Sequence, residues 1–288
     1  MKRILVPTDF SKYAYYAAEV AAGIAKRTGA RVFLLHAVDM PHYSMNDRFG
    51  DAPDTAEGIF LLKRAKQEFE KLISQDFFKE VDVAEVLQWE NVYDTISEKA
   101  KEFEIDLIVM GSQGASGVKE FFIGSNTEKI VRTASCPVLT VKDRMENFDP
   151  AEIVFASNFW GESENTFAPM LSFIELFNPK VHLLKVITPA NFESTDYTMK
   201  LMNDFVEATG IKNYTLNIYN EMIVEKGIHE FCDQVKADMV AIETHGRTGI
   251  AHFFRQSLAE DVANHSSRPV LSLKMQNAKK KEGVIFPG

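Results

Sequence analysis

Short apolar runs rich in Val, Ile and Leu alternate along the chain with longer segments in which apolar residues recur every three or four positions. In the first half these runs predict strands at about 2–7, 31–38, 81–88, 106–111 and 137–142. In the second half they predict strands near 152–156, 181–187, 213–219, 238–242 and 269–273. Continuously apolar strands separated by helices are typical of a parallel sheet that is covered on both faces.

Helical patterns fill the intervals between the strands of the first half. Residues 12–28 are rich in Ala, with Ser11 suited to the N-cap and Gly29 to the C-cap. Residues 61–73 and 92–103 carry apolar side chains at the spacing of one helix face. We therefore expect an α/β fold. The turn-rich segment 40–58 is predicted to be a long loop that forms a lid over a site.

Four segments of the first half reappear in the same order in the second. They are ILVPTDFS (4–11) with IVFASNFW (153–160), VFLLHAVD (32–39) with VHLLKVIT (181–188), DLIVMG (106–111) with DMVAIE (238–243), and CPVLTV (136–141) with RPVLSL (268–273). Such order indicates a duplication. We predict two repeated, doubly wound domains at residues 1–143 and 150–275, a charged linker at 142–150, and a polar tail at 276–288.

The composition narrows the class of protein. The 288 residues are 45% hydrophobic and 25% charged, as in ordinary globular proteins. The net charge of −9 and the absence of a basic stripe argue against a nucleic-acid partner. The one basic run, 279–281, is interpreted as part of a solvated terminus. No apolar run suits a signal peptide or a membrane span, so a cytoplasmic location is expected.

The two cysteines, Cys136 and Cys232, are too few for a disulfide framework and match no metal-ligand spacing. Cys136 precedes a proline at the start of an apolar strand, so a buried, inert thiol is expected. No spacing in the sequence pairs either cysteine with a histidine as nucleophile and base. We therefore predict no nucleophilic triad.

A glycine-rich line, GSQGASGVKEFFIGSN, follows the fourth strand at residues 111–126. Its spacing is G-x2-G-x9-G-S, with Gly111, Gly114, Gly124 and Ser125. The first two glycines are expected to let the backbone turn and approach a ligand closely. Gly124 opens a helix whose N–H groups form an anion site, and the hydroxyls of Ser125 and Thr127 are expected to add donors.

This line is neither a Walker A loop nor a dinucleotide-binding fingerprint. Glycines that serve turns alone are the plain alternative. The position favours a ligand, because parallel sheets bind ligands beyond the carboxyl ends of their strands. Pro7, Thr8 and Asp9 after the first strand, Ala37 to Asp39 after the second, and the glycine line should share one edge. His36 at the same edge is predicted to be packed and hydrogen-bonded rather than a general base.

On these motifs the chain resembles tandem universal stress proteins, over both halves. The resemblance implies a Rossmann-like fold of the adenine nucleotide alpha-hydrolase type, with a five-stranded parallel sheet in each half. It also implies ATP, with or without Mg2+, as the ligand of the first half. The implied ATP-binding residues are Pro7, Thr8, Asp9, Ala37, Met110, Gly111, Gly114, Gly124, Ser125 and Asn126. Asp9 would contact ribose or adenine, or a metal ion at the phosphates, and Ala37 would lie against adenine.

The second copy of the glycine line, ETHGRTGIAHFFRQSL, departs from the first at the positions that matter. Glu243 stands at the position of Gly111, Gln256 at Gly124, and Asn158 at Asp9. A carboxylate near a polyphosphate is repulsive. We therefore expect that the second half does not bind ATP and instead completes a fused pseudo-dimer. The sequence leaves open whether two such chains form a further homodimer.

The second line is also more basic, through His245, Arg247, His252 and Arg255. A different anion and a solvated loop remain alternatives for it. A metal site of His245, His252 and Glu243 matches no known spacing, so no metal is predicted.

Three functions remain open. The first is a stress-response module that binds ATP and, according to its nucleotide state, an unknown protein partner. The second is a slow ATPase or nucleotidyl-transfer enzyme, for which the sequence supplies no base and no catalytic residue. The third is a scaffold that binds no nucleotide.

Overall fold

The computed structural model describes residues 1–38, 55–112, 124–160, 163–244, 258, 262–263 and 266–274. The strands of the first half are β1 (Arg3–Pro7), β2 (Arg31–Ala37), β3 (Val83–Gln88), β4 (Leu107–Gly111) and β5 (Val138–Val141). Its helices are α1 (Lys12–Thr28), α2 (Ala56–Ile73), α3 (Val92–Glu102) and α4 (Ser125–Thr133). A short 3-10 helix spans Asp76–Phe78.

The second half repeats this alternation. Its strands are β6 (Glu152–Ala156), β7 (Lys180–Ile187), β8 (Tyr214–Asn220), β9 (Met239–Thr244) and β10 (Val270–Lys274). Its helices are α5 (Ser163–Phe177), α6 (Thr195–Thr209) and α7 (Val224–Val235), with a short 3-10 helix at Pro189–Asn191.

The predicted strands are all present, and their ends lie within two residues of the expected ones. Ser11 caps α1 by accepting a hydrogen bond from the Ala14 N–H, and Gly29 ends the helix with a φ of 68°. The prediction of a loop at 40–58 is wrong for its last residues. Thr55 caps α2 through the N–H of Gly58, so residues 56–58 form its first turn. The rest of that predicted loop lies outside the described residues.

All ten strands form one sheet, in the order β3-β2-β1-β4-β5-β10-β9-β6-β7-β8. Within each half the neighbouring strands are parallel and follow the same order, so both halves are doubly wound. The halves meet where β5 pairs antiparallel with β10. Leu139 pairs there with Leu271, its own counterpart in the repeat. The halves are therefore related by a pseudo-twofold axis, as in an isologous dimer.

Helices cover both faces of the sheet. One hydrophobic layer packs α1, α2, α5 and α6 against the sheet, and it contains buried side chains of both halves such as Ile4, Phe69 and Phe155. The opposite layer packs α3, α4 and α7, with Ile96, Ile130 and Phe231. Each layer runs across the β5–β10 junction, so the two halves share their hydrophobic core.

The charged linker is held against both halves. The Arg144 guanidinium donates to both carboxylate oxygens of Glu19 in α1, at 2.9 and 3.1 Å. Phe148 is buried, and its ring lies 5.5 Å from that of Phe177 at the end of α5. The connection between β5 and β6 is thus part of the packed structure.

Across the part of the chain that the structure describes, no helix has the length and apolar character needed to cross a membrane.

Candidate functional site

The carboxyl ends of β2, β1 and β4 lie side by side, because these strands are adjacent and parallel. The Thr8 N–H donates to the Leu35 carbonyl at 2.8 Å, which extends the β1–β2 pairing to the edge. Thr8, Ala37 and Gly111 therefore share one edge of the sheet, as the sequence predicts.

The turn after β1 is fixed by two short side chains. The Thr8 hydroxyl accepts from the Phe10 N–H at 3.0 Å, and Asp9 Oδ1 accepts from the Ser11 N–H at 3.0 Å. These bonds support Phe10 in a left-handed conformation with a φ of 60°. Thr8 is buried by this arrangement, while Asp9 is exposed at the edge of the sheet.

His36 at the end of β2 is held by a hydrogen bond and by aromatic packing. Its Nδ1 lies 2.8 Å from the Thr8 carbonyl oxygen. Its ring centroid is 4.7 Å from that of Phe10, which in turn packs edge-on against Phe69 of α2. The predicted packed and hydrogen-bonded histidine is confirmed.

Gly111 serves a purpose that the sequence analysis did not anticipate. A Cβ atom at this position would lie 2.7 Å from the carbonyl carbon of Tyr13 and 2.8 Å from its Cβ. Gly111 also belongs to β4 and has no left-handed backbone angle. The glycine lets α1 pack closely on β4, which is a reason for a glycine here in addition to the predicted turn and ligand contact.

The start of α4 is tied to the end of β4. The Gly124 N–H donates to the Ser112 carbonyl at 2.8 Å, and the Thr127 hydroxyl donates to the Gly111 carbonyl at 3.0 Å. Thr127 is buried by this bond, so the expectation that its hydroxyl serves a ligand is wrong. Gly124 is the N-cap and supplies no side-chain hydrogen bond, so the first turn of α4 lacks a side-chain cap. Such a helix start favours anions.

The remaining predicted residues differ in what they present at this edge. Ser125 is exposed, and Asn126 and Ala37 are half-buried. The Met110 side chain is buried in the hydrophobic layer with Ile130, so a ligand at the edge could reach its backbone but not its side chain. Gly114 lies outside the described residues.

The equivalent turn of the second half has the same backbone. The Ser157 hydroxyl accepts from the Phe159 N–H at 2.8 Å, and Asn158 Oδ1 accepts from the Trp160 N–H at 2.9 Å. Phe159 has a φ of 58°, like its counterpart Phe10. The two edges therefore differ in side-chain chemistry and not in the shape of this turn.

Charged side chains fill the edge of the second half. The Ser157 hydroxyl donates to the Glu243 carboxylate, which is buried where the first half has Gly111. Lys185 stands where the first half has His36, and its side chain is only 3% exposed. The Lys185 Nζ donates to the Asn158 carbonyl at 2.6 Å and pairs with Glu193 at 3.2 Å. The edge thus carries an internal network of charged groups.

Lys185 is a buried cation within this network. Burial lowers the pKa of its ammonium group below the ordinary lysine value, and the Glu193 carboxylate opposes that shift. The Trp160 ring covers the ammonium at 5.2 Å, a cation–π distance. Sequence reasoning missed this network, although a lysine inside the apolar strand VHLLKVIT was a visible signal.

Among the described residues, no group of three or more histidine, cysteine or acidic side chains is arranged to hold a metal ion. His245 and His252, named above in a metal hypothesis, lie outside those residues.

Known proteins place the chain in one family. A sequence model described as "Universal stress protein family" matches residues 1–142 and 153–274. Universal stress protein MJ0531 of Methanocaldococcus jannaschii is 30% identical over 149 residues, which cover 49% of this chain and 82% of that protein.

Two solved structures resemble the whole chain. A universal stress protein from Archaeoglobus fulgidus matches with a TM-score of 0.72 and 20% identity, covering 94% of this chain and 98% of that one. A putative universal stress protein from Pseudomonas aeruginosa matches with a TM-score of 0.65 and 20% identity, covering 95% and 93%. These structural similarities support the fold. The match of the family model to two ranges of the chain supports two domains of the same family. The chain belongs to the universal stress protein family.

Proposed function

We propose that the first half binds ATP at the carboxyl edge of β1, β2 and β4, and that the protein acts as a nucleotide-dependent binding module. One observation carries the proposal: among the described residues no side chain caps the first turn of α4, and this turn begins beside the end of β4. Its N–H groups and the positive end of the helix dipole suit the phosphates of a nucleotide.

The other predicted residues are arranged to support the nucleoside in this proposal. Asp9 is exposed on the neighbouring strand end, and its carboxylate is suited to accept hydrogen bonds from ribose hydroxyls or to face Mg2+. Ala37 on β2 offers a small apolar surface for adenine. Gly124 at the start of α4 adds no side chain between these groups and the phosphates, and Gly111 and Gly114 remain predicted binding residues.

We also propose that the second half does not bind ATP. Glu243 occupies the position of Gly111, and Lys185 and Glu193 form a buried ion pair at the position of His36. A nucleotide entering this edge would have to displace a hydrogen-bonded carboxylate and would meet its negative charge.

The role of a binding module follows from the groups that the first edge presents. His36 Nδ1 is engaged with the Thr8 carbonyl, and Thr127 is engaged with the Gly111 carbonyl. The Thr127 hydroxyl is thereby committed to the backbone, and the His36 ring is packed against Phe10 and Phe69, so we assign both to holding the edge in shape. In this proposal ATP is held rather than turned over, and its presence controls association with a protein partner.

The test is to count and identify the nucleotide that acid releases from purified protein, and then to titrate the protein with ATP and Mg2+. We expect one ATP per chain. Gly124→Gln, which copies the residue of the second half into the first, should weaken binding by about tenfold or more, or at least 1.4 kcal/mol. Gln256→Gly makes the reverse exchange in the second half and should leave the stoichiometry unchanged.

The outcomes separate the alternatives. Bound ADP that appears with turnover would favour an ATPase, and no binding under any condition would favour a scaffold without nucleotide. A universal stress protein that aligns with 49% of this chain has been solved in complex with cAMP. We include cAMP among the titrants because it lacks the β- and γ-phosphates, so equal affinity for cAMP and ATP would contradict the proposed phosphate contacts at α4.

A further inference from the structure

Exposed apolar side chains gather at one edge of the second half. Of the seven large apolar side chains that are exposed in the described part of the chain, five follow the carboxyl ends of β6, β7 and β8. They are Trp160, Phe192, Tyr197, Met222 and Ile223, which we term the apolar rim. Scattered exposed apolar residues need no explanation, whereas a group at one edge marks an interaction surface.

Hydrogen bonds at the strand ends hold this group together. The Glu221 N–H donates to the Ile187 carbonyl at 3.1 Å, which fixes Met222 beside the end of β7. Asn191 Nδ2 donates to the Val186 carbonyl at 3.3 Å and so holds the adjacent Phe192 near the same strand end.

Trp160 joins the group through the charged network described above. Its ring lies over Lys185, which pairs with Glu193, the residue after Phe192. Phe192 is 78% exposed and Met222 72% exposed, so the centre of the rim is uncovered by the residues that the structure describes.

Acidic residues border the rim. Lys226 is shared by Glu221 at 3.0 Å and Glu230 at 3.3 Å, so two carboxylates meet one ammonium group. Asp196 in the first turn of α6 and Glu225 in the first turn of α7 add further negative charge. An occupant of this surface should therefore combine apolar and basic side chains.

The chain itself supplies such a segment. β10 runs parallel to β9, and β9, β6, β7 and β8 follow one direction, so β10 ends on the edge that carries the rim. The sequence then continues for 14 residues as MQNAKKKEGVIFPG, with lysines at 279–281 and the apolar run 284–286.

The reach of this segment is sufficient. Four strand spacings separate β10 from β8, or about 19 Å at about 4.8 Å each. A segment of 14 residues extends up to about 46 Å at about 3.3 Å per residue.

We propose that residues 275–288 dock on the apolar rim of the same chain, with Val284, Ile285 and Phe286 against its apolar side chains and Lys279 to Lys281 against its acidic border. In this proposal the segment that the sequence analysis interprets as a solvated terminus binds to the protein's own surface. The proposal does not depend on nucleotide binding in the first half.

The test uses Trp160 as the reporter, in the full chain with Trp89→Phe so that one tryptophan remains. Acrylamide quenching of Trp160 fluorescence is compared with that of a variant truncated after Gln276. Trp160 is 51% exposed, so contact with the segment would shield it, and removal of the segment should raise the quenching constant about twofold. Ile285→Asp combined with Phe286→Asp in the full chain should have the same effect.

A synthetic peptide of residues 275–288, added to the truncated protein, should restore the shielding. The same peptide with its three lysines changed to glutamate should bind at least about tenfold more weakly at low salt. A full chain with Trp160→Phe and Trp89 retained controls for effects of truncation elsewhere, and circular dichroism confirms that each variant is folded.

Equal quenching in the full and truncated chains would overturn the proposal. So would shielding that rises with protein concentration, because a second copy of the chain would then be the occupant. Equal binding of the native and charge-reversed peptides would also contradict the proposed acidic contact.

Discussion

Gly111 at the end of β4 lies directly against Tyr13 in the first turn of α1, with room for no side chain between them. Gly111→Ala should therefore strain the contact with the Tyr13 backbone, which a change of rotamer cannot relieve. We expect the free energy of unfolding to fall by about 1–3 kcal/mol, as for an overpacked core. Urea denaturation measures this change.

Gly23 offers a matched control within α1, because a Cβ atom there would meet nothing within 4 Å. Gly23→Ala should raise stability by about 0.5–1 kcal/mol, since alanine is the better helix former. If both substitutions had the same effect, close packing would not be the reason for the glycine at 111.

Asp9 and Asn158 allow an isosteric exchange between the two halves. Each uses its Oδ1 to close the same turn, so Asp9→Asn and Asn158→Asp should both preserve the fold. Asp9→Asn should weaken ATP binding by about 1.5–3 kcal/mol, the usual contribution of a hydrogen bond to a charged group. Titration calorimetry measures the loss. Asn158→Asp should leave ATP binding unchanged. A loss of ATP affinity in that variant would indicate that the nucleotide binds in the second half and not in the first.

Lys185 and Glu193 should be coupled in stability. Lys185→Met leaves the Glu193 carboxylate without its partner, and Glu193→Gln leaves the ammonium without a counter-charge. Each single substitution should cost about 3–5 kcal/mol, and the double variant less than their sum. A double-mutant cycle in urea measures the coupling, and additive losses would contradict a direct buried ion pair.

Thr140 and Ser272 occupy equivalent positions in β5 and β10 but differ in hydrogen bonding. The Thr140 hydroxyl donates to the Val270 carbonyl at 3.3 Å, whereas the buried Ser272 hydroxyl has no partner among the described residues. Thr140→Val should therefore cost about 0.5–1.5 kcal/mol, and Ser272→Ala should be neutral or stabilising. Thermal unfolding followed by circular dichroism shows whether each substitution lowers or raises the stability. A loss of stability in both variants would contradict the difference in hydrogen bonding between the two hydroxyls.

Because of its two cysteines, the protein should have a free energy of unfolding that falls at alkaline pH. Burial raises the pKa of Cys136 to about 11 and that of Cys232 to about 12, from an ordinary value of 9.0. Above pH 9 the unfolded thiols lose protons that the folded ones keep, so the unfolded state is favoured. For Cys232 the slope should be about −1.4 kcal/mol per pH unit between pH 9 and 12.

Cys232→Ala should reduce that slope, which separates the thiol from the lysines and tyrosines that titrate in the same range. The native thiols should also react slowly with a disulfide reagent at pH 8, and both should react on unfolding. Rapid reaction of the folded protein would contradict the raised pKa values.

The sequence predicted the sheet well because a strand that is covered on both faces is apolar at successive positions. The strands of this chain are therefore visible as continuous apolar runs. It left the helices of the second half unassigned, and Pro169 inside α5 interrupts the pattern there. The shared edge of Thr8, Ala37 and Gly111 followed from parallel strand order alone. The contact of Gly111 with Tyr13 did not, because it depends on how closely α1 crosses β4 in the folded chain.

The second half carried clear sequence signals as well. Glu243 in place of glycine was visible, but its bond to Ser157 requires residues 86 positions apart to meet. The Lys185–Glu193 pair likewise forms only when the connection after β7 folds back beside the end of that strand. Sequence therefore identified which positions changed, and the folded chain identifies what the new side chains bind.

The antiparallel pairing of Leu139 with Leu271 has a consequence for how the two halves have diverged. Separate subunits must keep an interface that holds at their cellular concentration, and in a homodimer any substitution appears twice. Here the ten residues 142–151 tether the two partners at an effective concentration on the order of millimolar. The interface is thus independent of expression level, and each half is free to change alone. Fusion permits one chain to keep the proposed nucleotide edge in one half and to acquire a different surface in the other.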